Sequence, residues 1–236
     1  AYKILFKSVD KVIVQTEKSK TWLRENFSSS DVEVIPNPIL YPLPIENEYS
    51  VSPSSFIINE KKIILASGRM HKVKQFDILI KAFSMVNEKF SDWNLVILGD
   101  GEERANLRRI VYDLKIENRV YFPGRVGNIS KWYERSELFV LSSKVEGFPN
   151  VLLEAMSYGL PCISFDCNTG PSDMIQDGLN GILVDPEHKE EGLANAMCKM
   201  LSNEILRNNI ANNSINTRDK YSVLKIMQKW NDILKL

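Results

Sequence analysis

From Lys62 onward, short apolar runs rich in β-branched residues alternate with stretches whose apolar positions recur every three or four residues. The runs at 63–66, 95–98, 120–122, 138–141, 162–165 and 182–184 are continuous rather than alternating. This pattern suits strands covered on both faces. Between them the spacing predicts helices over about 75–90, 102–115, 128–134 and 150–158, and three more close the chain at about 190–201, 204–216 and 222–235. Strands and helices in alternation imply βαβ crossovers. The expected fold class is therefore α/β, a Rossmann-like parallel sheet with helices on both faces. No residue-level repeat is visible, so the regular spacing is that of the βαβ unit.

Ahead of this pattern, after a helix-like opening stretch, come a strand at 11–16, a helix over about 17–27 with Trp22, Leu23 and Phe27 at helical spacing, and a short strand at 32–35. Pro36, Pro38, Pro42 and Pro44 then rule out regular structure until about Asn59, because proline fixes φ and removes a donor. A stretch this rich in proline is either a linker between domains or a rigid wall of one, and a boundary is placed there.

Composition narrows the classes. With 44% apolar and 25% charged residues over 236 positions, the chain can bury a sizeable core. Thirty Lys and Arg balance thirty Asp and Glu, which leaves no overall basic field for nucleic acid, and no nucleic-acid partner is expected. Three Cys do not make a secreted disulfide framework and fit a reducing, cytoplasmic compartment. Cys162 and Cys167 lack a second pair or a nearby His, which favours buried thiols over a metal site. No stretch reaches the roughly 18 continuous apolar residues of a membrane span. Lys3, Lys7, Asp10 and Lys11 interrupt any signal-peptide core, and a chain that opens on Ala1 reads as though it began mid-domain.

Nearly every glycine-bearing loop follows a strand: Gly68, Gly99 and Gly101, Gly124 and Gly127, Gly147, and Gly170. In an open parallel sheet those loops share the carboxyl edge, where backbone can approach a ligand closely, so a binding crevice is expected there. After the first of these strands, Arg69 and Lys74 in ASGRMHKVKQF precede a helix, and two cations with a helix N-terminus suit a diphosphate. A solvated basic loop explains that segment equally well. His71 could also approach a phosphate from this loop, whereas His188 reads as a surface residue at a helix start. The turn LGDGEERANL invites a dinucleotide reading, but Arg104 stands where that fingerprint needs a small residue; a plain turn with Glu102 and Glu103 at the helix start fits better. In KVEGFPNVLLEAMSYGLP, Pro149 and Asn150 mark a helix start with Asn150 as its cap, and Glu146 and Glu154 lie near that start. The pair could grip hydroxyls and phosphate of a nucleotide sugar, or Glu154 could be a satisfied helix residue. In NTGPSDMIQDGLNGILV, Ser172 or Asp173 reads as the cap of a short helical turn.

In order and spacing, Gly68-Arg69 with Lys74, the GDG turn, VYFPGRV, EGFPNVLLEA and NTGPSDMIQDGLNGILV together resemble the retaining glycosyltransferases of family 4, which have the two-domain GT-B fold. The resemblance is dense over about 62–184 and looser in the flanks. It implies the C-terminal, donor-binding half of that fold: residues 1–40 as the tail of the N-terminal acceptor domain, 41–60 as the linker, 61–220 as the nucleotide-sugar domain, and 221–236 as a C-terminal helix directed back toward the N-terminal domain. The implied catalytic residues are Arg69, Lys74 and Glu146. Arg69 and Lys74 would bind the donor diphosphate, with no metal or other cofactor required. Gly68 would belong to the donor site, Phe122, Gly124 and Val126 would line the base pocket chiefly through backbone, and Glu154 would hold the ribose hydroxyls. Glu146, Phe148, Pro149 and Asn150 would face the donor sugar and phosphate. Gln75 departs from the glycine the family often has after the lysine.

The activity implied is transfer of a sugar, with retention, from a nucleotide-diphospho-sugar, most simply a UDP-sugar, to a glycan or lipid-linked acceptor. The cytoplasm, with peripheral contact at the inner face of the cell membrane, is the expected location. Much of the acceptor domain is absent, so the chain is expected to bind donor and transfer little sugar alone. Two other readings are a non-catalytic nucleotide-sugar-binding subunit of a split transferase and a dinucleotide-binding oxidoreductase domain, the second disfavoured by the missing fingerprint.

Overall fold

In the computed structural model, residues 9–27, 31–58 and 60–235 are described; the helix-like stretch expected at the amino terminus lies outside them. Among the described residues two parallel sheets form. In the smaller, β1 (Val12–Val14) pairs with β2 (Val32–Val34), connected through α1 (Glu17–Phe27). The larger holds β3 (Lys62–Ser67), β4 (Trp93–Leu98), β5 (Val120–Gly124), β6 (Leu138–Leu141), β7 (Cys162–Phe165) and β8 (Ile182–Val184), in the order β5-β4-β3-β6-β7-β8. Its connections carry α2 (Phe76–Val86), α3 (Arg104–Asp113), α4 (Ile129–Arg135), α5 (Asn150–Ser157) and the single turn α6 (Pro171–Met174). The chain ends through α7 (Lys189–Ser202), α8 (Glu204–Ser214), α9 (Thr217–Lys220) and α10 (Val223–Leu234). Pro123 sits in β5, an edge strand, where the pairing with β4 shifts register between Val96 and Leu98, an irregularity that accommodates a residue with no N–H to donate.

Continuous apolar runs place alternate side chains on opposite faces, so the sheet has a core on each. Ile64 and Ala66 join Leu79, Ile80 and Phe83 of α2 and Leu193, Met197 and Met200 of α7. Ile63 and Leu65 join Trp132 and Tyr133 of α4 and Leu152, Leu153 and Met156 of α5. The chain therefore leaves β3 toward one face and β6 toward the other, although the two strands are neighbours. The divergence opens a crevice at their carboxyl ends, the switch point at which open α/β sheets bind ligands.

Several elements depart from the sequence reading. The helix expected to 90 stops at Val86, where Asn87 donates its side-chain amide to the Ser84 carbonyl. The helix expected over 204–216 ends at Ser214: its hydroxyl bonds to the Met156 carbonyl and Thr217 bonds back to the Ser214 carbonyl, side chains competing for helix acceptors. The proline-dense stretch carries two single 3₁₀ turns, Asn47–Tyr49 and Pro53–Ser55. It also lies fixed against the larger sheet's body. Asn128 bonds both backbone groups of Val51, Trp132 donates to the Val51 carbonyl, and the Tyr158 hydroxyl accepts from the Leu43 N–H. At the other end of the chain, the Ile39 N–H bonds to the Tyr221 carbonyl, just before α10.

Candidate functional site

The loops after β3 and β6 meet at the switch point. Lys74 ends a 3₁₀ turn that reverses the chain into α2, and its stem crosses Gly68, where an added Cβ would lie 3.3 Å from Lys74 Cε. From there its Nζ reaches Glu146 Oε1 at 2.6 Å, joining residues 72 positions apart. The Ser142 hydroxyl donating to the Lys74 carbonyl and the Lys144 N–H donating to the Val73 carbonyl lock the two loops together. Gln75, which follows, is in the left-handed region at φ 48°. That conformation costs a side chain about 1 kcal/mol or more, a cost that glycine would not carry.

Arg69 is exposed and turned the other way. Its Nη2 is 3.6 Å from Glu102 Oε2, and His71 Nε2 is 3.4 Å from the second oxygen of the same carboxylate. His71 Nδ1 accepts from the Val73 N–H, which leaves the Nε2 proton facing Glu102. The two cations thus do not converge on one point; each is held by a carboxylate from a different loop. Glu103 stands at the N-cap of α3, its carboxylate accepting from Asn106 Nδ2 at 2.9 Å, whereas Glu102 is engaged away from the helix. Glu102 is the partner of Arg69 and His71, and its carboxyl is held below its ordinary value first by its own backbone N–H and then by these neighbours, against slight burial. Asp100 is held low as well, chiefly by the Gly101 N–H at 2.9 Å, with Arg104 adding to it.

The glycines set how closely the edge loops stack. At Gly99, φ is +116° and a Cβ would lie 2.0 Å from the Gly68 carbonyl oxygen; at Gly101 it would lie 2.4 Å from that of Met70. A cavity of about 420 Å³ opens beside them, lined by Gly68, Arg69, Asp100, Arg125, Val126 and Ile129 and, from the proline-dense stretch, by Glu46 and Tyr49. Of the residues that the resemblance implied for a donor site, Gly68, Arg69 and Val126 line this cavity. The Phe122 carbonyl is taken by Arg104 Nη2 at 2.9 Å and that of Gly124 by the Gly99 N–H at 2.8 Å, while the Phe122 ring packs on the core.

Around α5 the sequence reading needs correction. Pro149, not Asn150, is the N-cap; Asn150 is the first helical residue and its Oδ1 accepts from Asn37 Nδ2 at 2.9 Å. The Phe148 ring is buried against Tyr221, with centroids 5.9 Å apart. Glu154 is partly buried in α5 and accepts the Tyr133 hydroxyl at 2.9 Å. Burial raises its pKa, and the Tyr133 bond works against that rise. Gly170 caps α6 in place of Ser172 or Asp173, and Asp173 Oδ1 instead accepts from Glu17 N–H at the start of α1. Gly170 seats against Pro149, where a Cβ would lie 2.5 Å from the ring, and the Thr169 hydroxyl donates to the Glu146 carbonyl. Among the described residues no group of three or more His, Cys, Asp and Glu is placed to hold a metal ion, and no helix is long and apolar enough to cross a membrane. Cys162 and Cys167 are buried and free.

Arg104, Arg125, Glu46 and Tyr49 were not singled out as site residues from sequence. For Arg104 a signal existed, a cation in a position that otherwise demands a small residue; Glu46 and Tyr49 lie in a stretch read only for its prolines.

A parallel sheet with helices on both faces and a crevice at its switch point defines the Rossmann-like α/β class. The "Glycosyl transferases group 1" family model matches residues 50–217, and the chain belongs to that family. It is 34% identical over 225 residues to the amylovoran biosynthesis glycosyltransferase AmsD of Erwinia amylovora, covering 95% of this chain and 62% of that one. It is 32% identical over 226 residues to an uncharacterised glycosyltransferase of Haemophilus influenzae, covering 95% and 61%. The chain thus spans about three fifths of the length of these curated relatives. Among solved structures, the pneumococcal O-GlcNAc transferase GtfA in complex with UDP and GlcNAc superposes with a TM-score of 0.82 at 25% identity, over 99% of this chain and 47% of that one. S. aureus TarM, solved with UDP, gives the same TM-score and identity over 96% and 44%. Both share the Rossmann-like half of the GT-B fold.

Proposed function

We propose that this chain is the donor-binding half of a retaining glycosyltransferase that takes a sugar from a UDP-sugar and passes it to a glycan or lipid-linked acceptor at the cytoplasmic side of the membrane. The observation that carries the reading is the Lys74–Glu146 contact at the switch point, beside a cavity that opens onto Arg69. With UDP-sugar bound, Arg69 would leave Glu102, and Lys74 would turn from Glu146 to the diphosphate. Their charge would meet the negative charge developing on the leaving group, the task a metal performs elsewhere. Glu146, freed of its partner, would face the donor sugar together with the backbone around Phe148, Pro149 and Asn150. Glu154 would take the ribose hydroxyls. Val126 and its loop would take the base. The acceptor would be held by residues outside this chain, so the chain alone would bind donor and transfer little sugar.

The test is a thermal-shift titration with UDP, GDP and NAD, each with and without a chelator. At about a hundred times its dissociation constant, a ligand adds roughly 2.7 kcal/mol, a rise of about 5–10 °C for a chain this long. Stabilisation by UDP that is indifferent to chelator is expected. A response to NAD alone, or one abolished by chelator, would sink the reading.

A further inference from the structure

We infer that Tyr49, carried on the crossing between the two sheets, is a stacking surface for the nucleobase. This rests on the nucleotide reading above and adds a residue from outside every motif that supports it. The crossing is fastened to the loop after β5 by paired backbone bonds: the Glu46 N–H donates to the Gly127 carbonyl, and the Gly127 N–H donates to the Tyr49 carbonyl, both at 2.8 Å. Only glycine permits this approach, because a Cβ at position 127 would lie 2.1 Å from the Glu46 carbonyl oxygen. The turn is closed by the Ser50 N–H on the Asn47 carbonyl, and Asn128 then holds Val51 through both backbone groups. Backbone on both sides of Tyr49 is thus fixed, yet the residue remains 53% exposed.

Tyr49 is thus an exposed aromatic residue on an anchored turn. It lines the same cavity as Val126 and Ile129, at the end of the sheet edge that continues from Gly68 and Arg69. Phosphates at Arg69 direct the attached nucleoside along this edge, and the cavity offers the base two aliphatic side chains and one aromatic face. A base stacked there covers ring surface that water now covers, and because every base has a π-face, Tyr49 contributes affinity more than discrimination.

The experiment compares calorimetric titrations of UDP and of inorganic pyrophosphate into the wild-type chain and into Tyr49→Ala and Tyr49→Phe, with the melting temperature of each ligand-free variant as a check on folding. Stacking predicts that Tyr49→Ala weakens UDP by about 5- to 150-fold, leaves pyrophosphate within about twofold, and that Tyr49→Phe recovers most of the loss. Tyr49→Trp adds a signature that a purely structural role lacks, quenching of its fluorescence by UDP and not by pyrophosphate. UDP binding by Tyr49→Ala equal to wild type, or equal losses for both ligands, would overturn the inference and leave the nucleotide reading standing. Failure of the wild-type chain to bind UDP would remove both.

Discussion

Replacing Lys74 with Met keeps most of the stem that crosses Gly68 and removes the charge. Glu146, with its side chain 11% exposed, then loses the cation 2.6 Å away. A nearly buried charged acceptor left unpaired costs about 1–3 kcal/mol, which is about 2–12 °C in melting temperature for a domain of this size. If Lys74 also binds the diphosphate, its loss removes a charge-assisted contact worth about 1.5–3 kcal/mol, so UDP binds about 10- to 150-fold more weakly. The two effects separate in a cycle with Glu146→Gln. The glutamine removes the carboxylate that competes for Lys74, so that variant binds UDP as tightly as wild type or more so. The double variant regains stability relative to Lys74→Met without regaining affinity. Urea unfolding and calorimetry on the four proteins suffice. UDP affinity unchanged in Lys74→Met would mean that the lysine serves only to neutralise Glu146 and does not bind the diphosphate.

Arg69→Ala is expected to lower UDP affinity by about 1.5–3 kcal/mol in the same calorimetry while leaving the melting temperature unchanged, since its side chain is 75% exposed. Gly99→Ala should lose more than about 2 kcal/mol in urea unfolding, because φ is +116° and the new Cβ would meet the Gly68 carbonyl oxygen at 2.0 Å. Burial raises the Glu154 pKa, so the folded state holds that proton to higher pH than the unfolded chain, and this group's contribution to stability falls as pH rises from near 4.5 through the folded value. Glu154→Gln should therefore gain stability relative to wild type between pH 4 and pH 7, measured by urea unfolding, while binding UDP less tightly.

Much of the fold was legible because the strands of a doubly covered sheet are written as uninterrupted apolar runs. The strand order follows from none of them individually. It arises from which face each helix covers, and that order brings Lys74 and Glu146 together across 72 residues. The sequence assigned both residues to loops, yet their contact depends on the β3–β6 pairing. Caps were less legible. Asn150 and Asp173 have the chemistry of caps, but each found a partner in the segment before residue 40, Asn37 and the Glu17 N–H, and long-range pairing displaced the local role. Glu46 and Tyr49 carried no periodic signal, because a proline-dense stretch derives its conformation from what it packs on.

A crystal structure of this chain soaked with UDP tests the donor site most directly. A diphosphate within hydrogen-bonding distance of Arg69 and Lys74 is expected, with Lys74 withdrawn from Glu146 and the uracil in the cavity beside Val126. A UDP molecule bound elsewhere, or one bound there with the Lys74–Glu146 contact intact, would exclude this site.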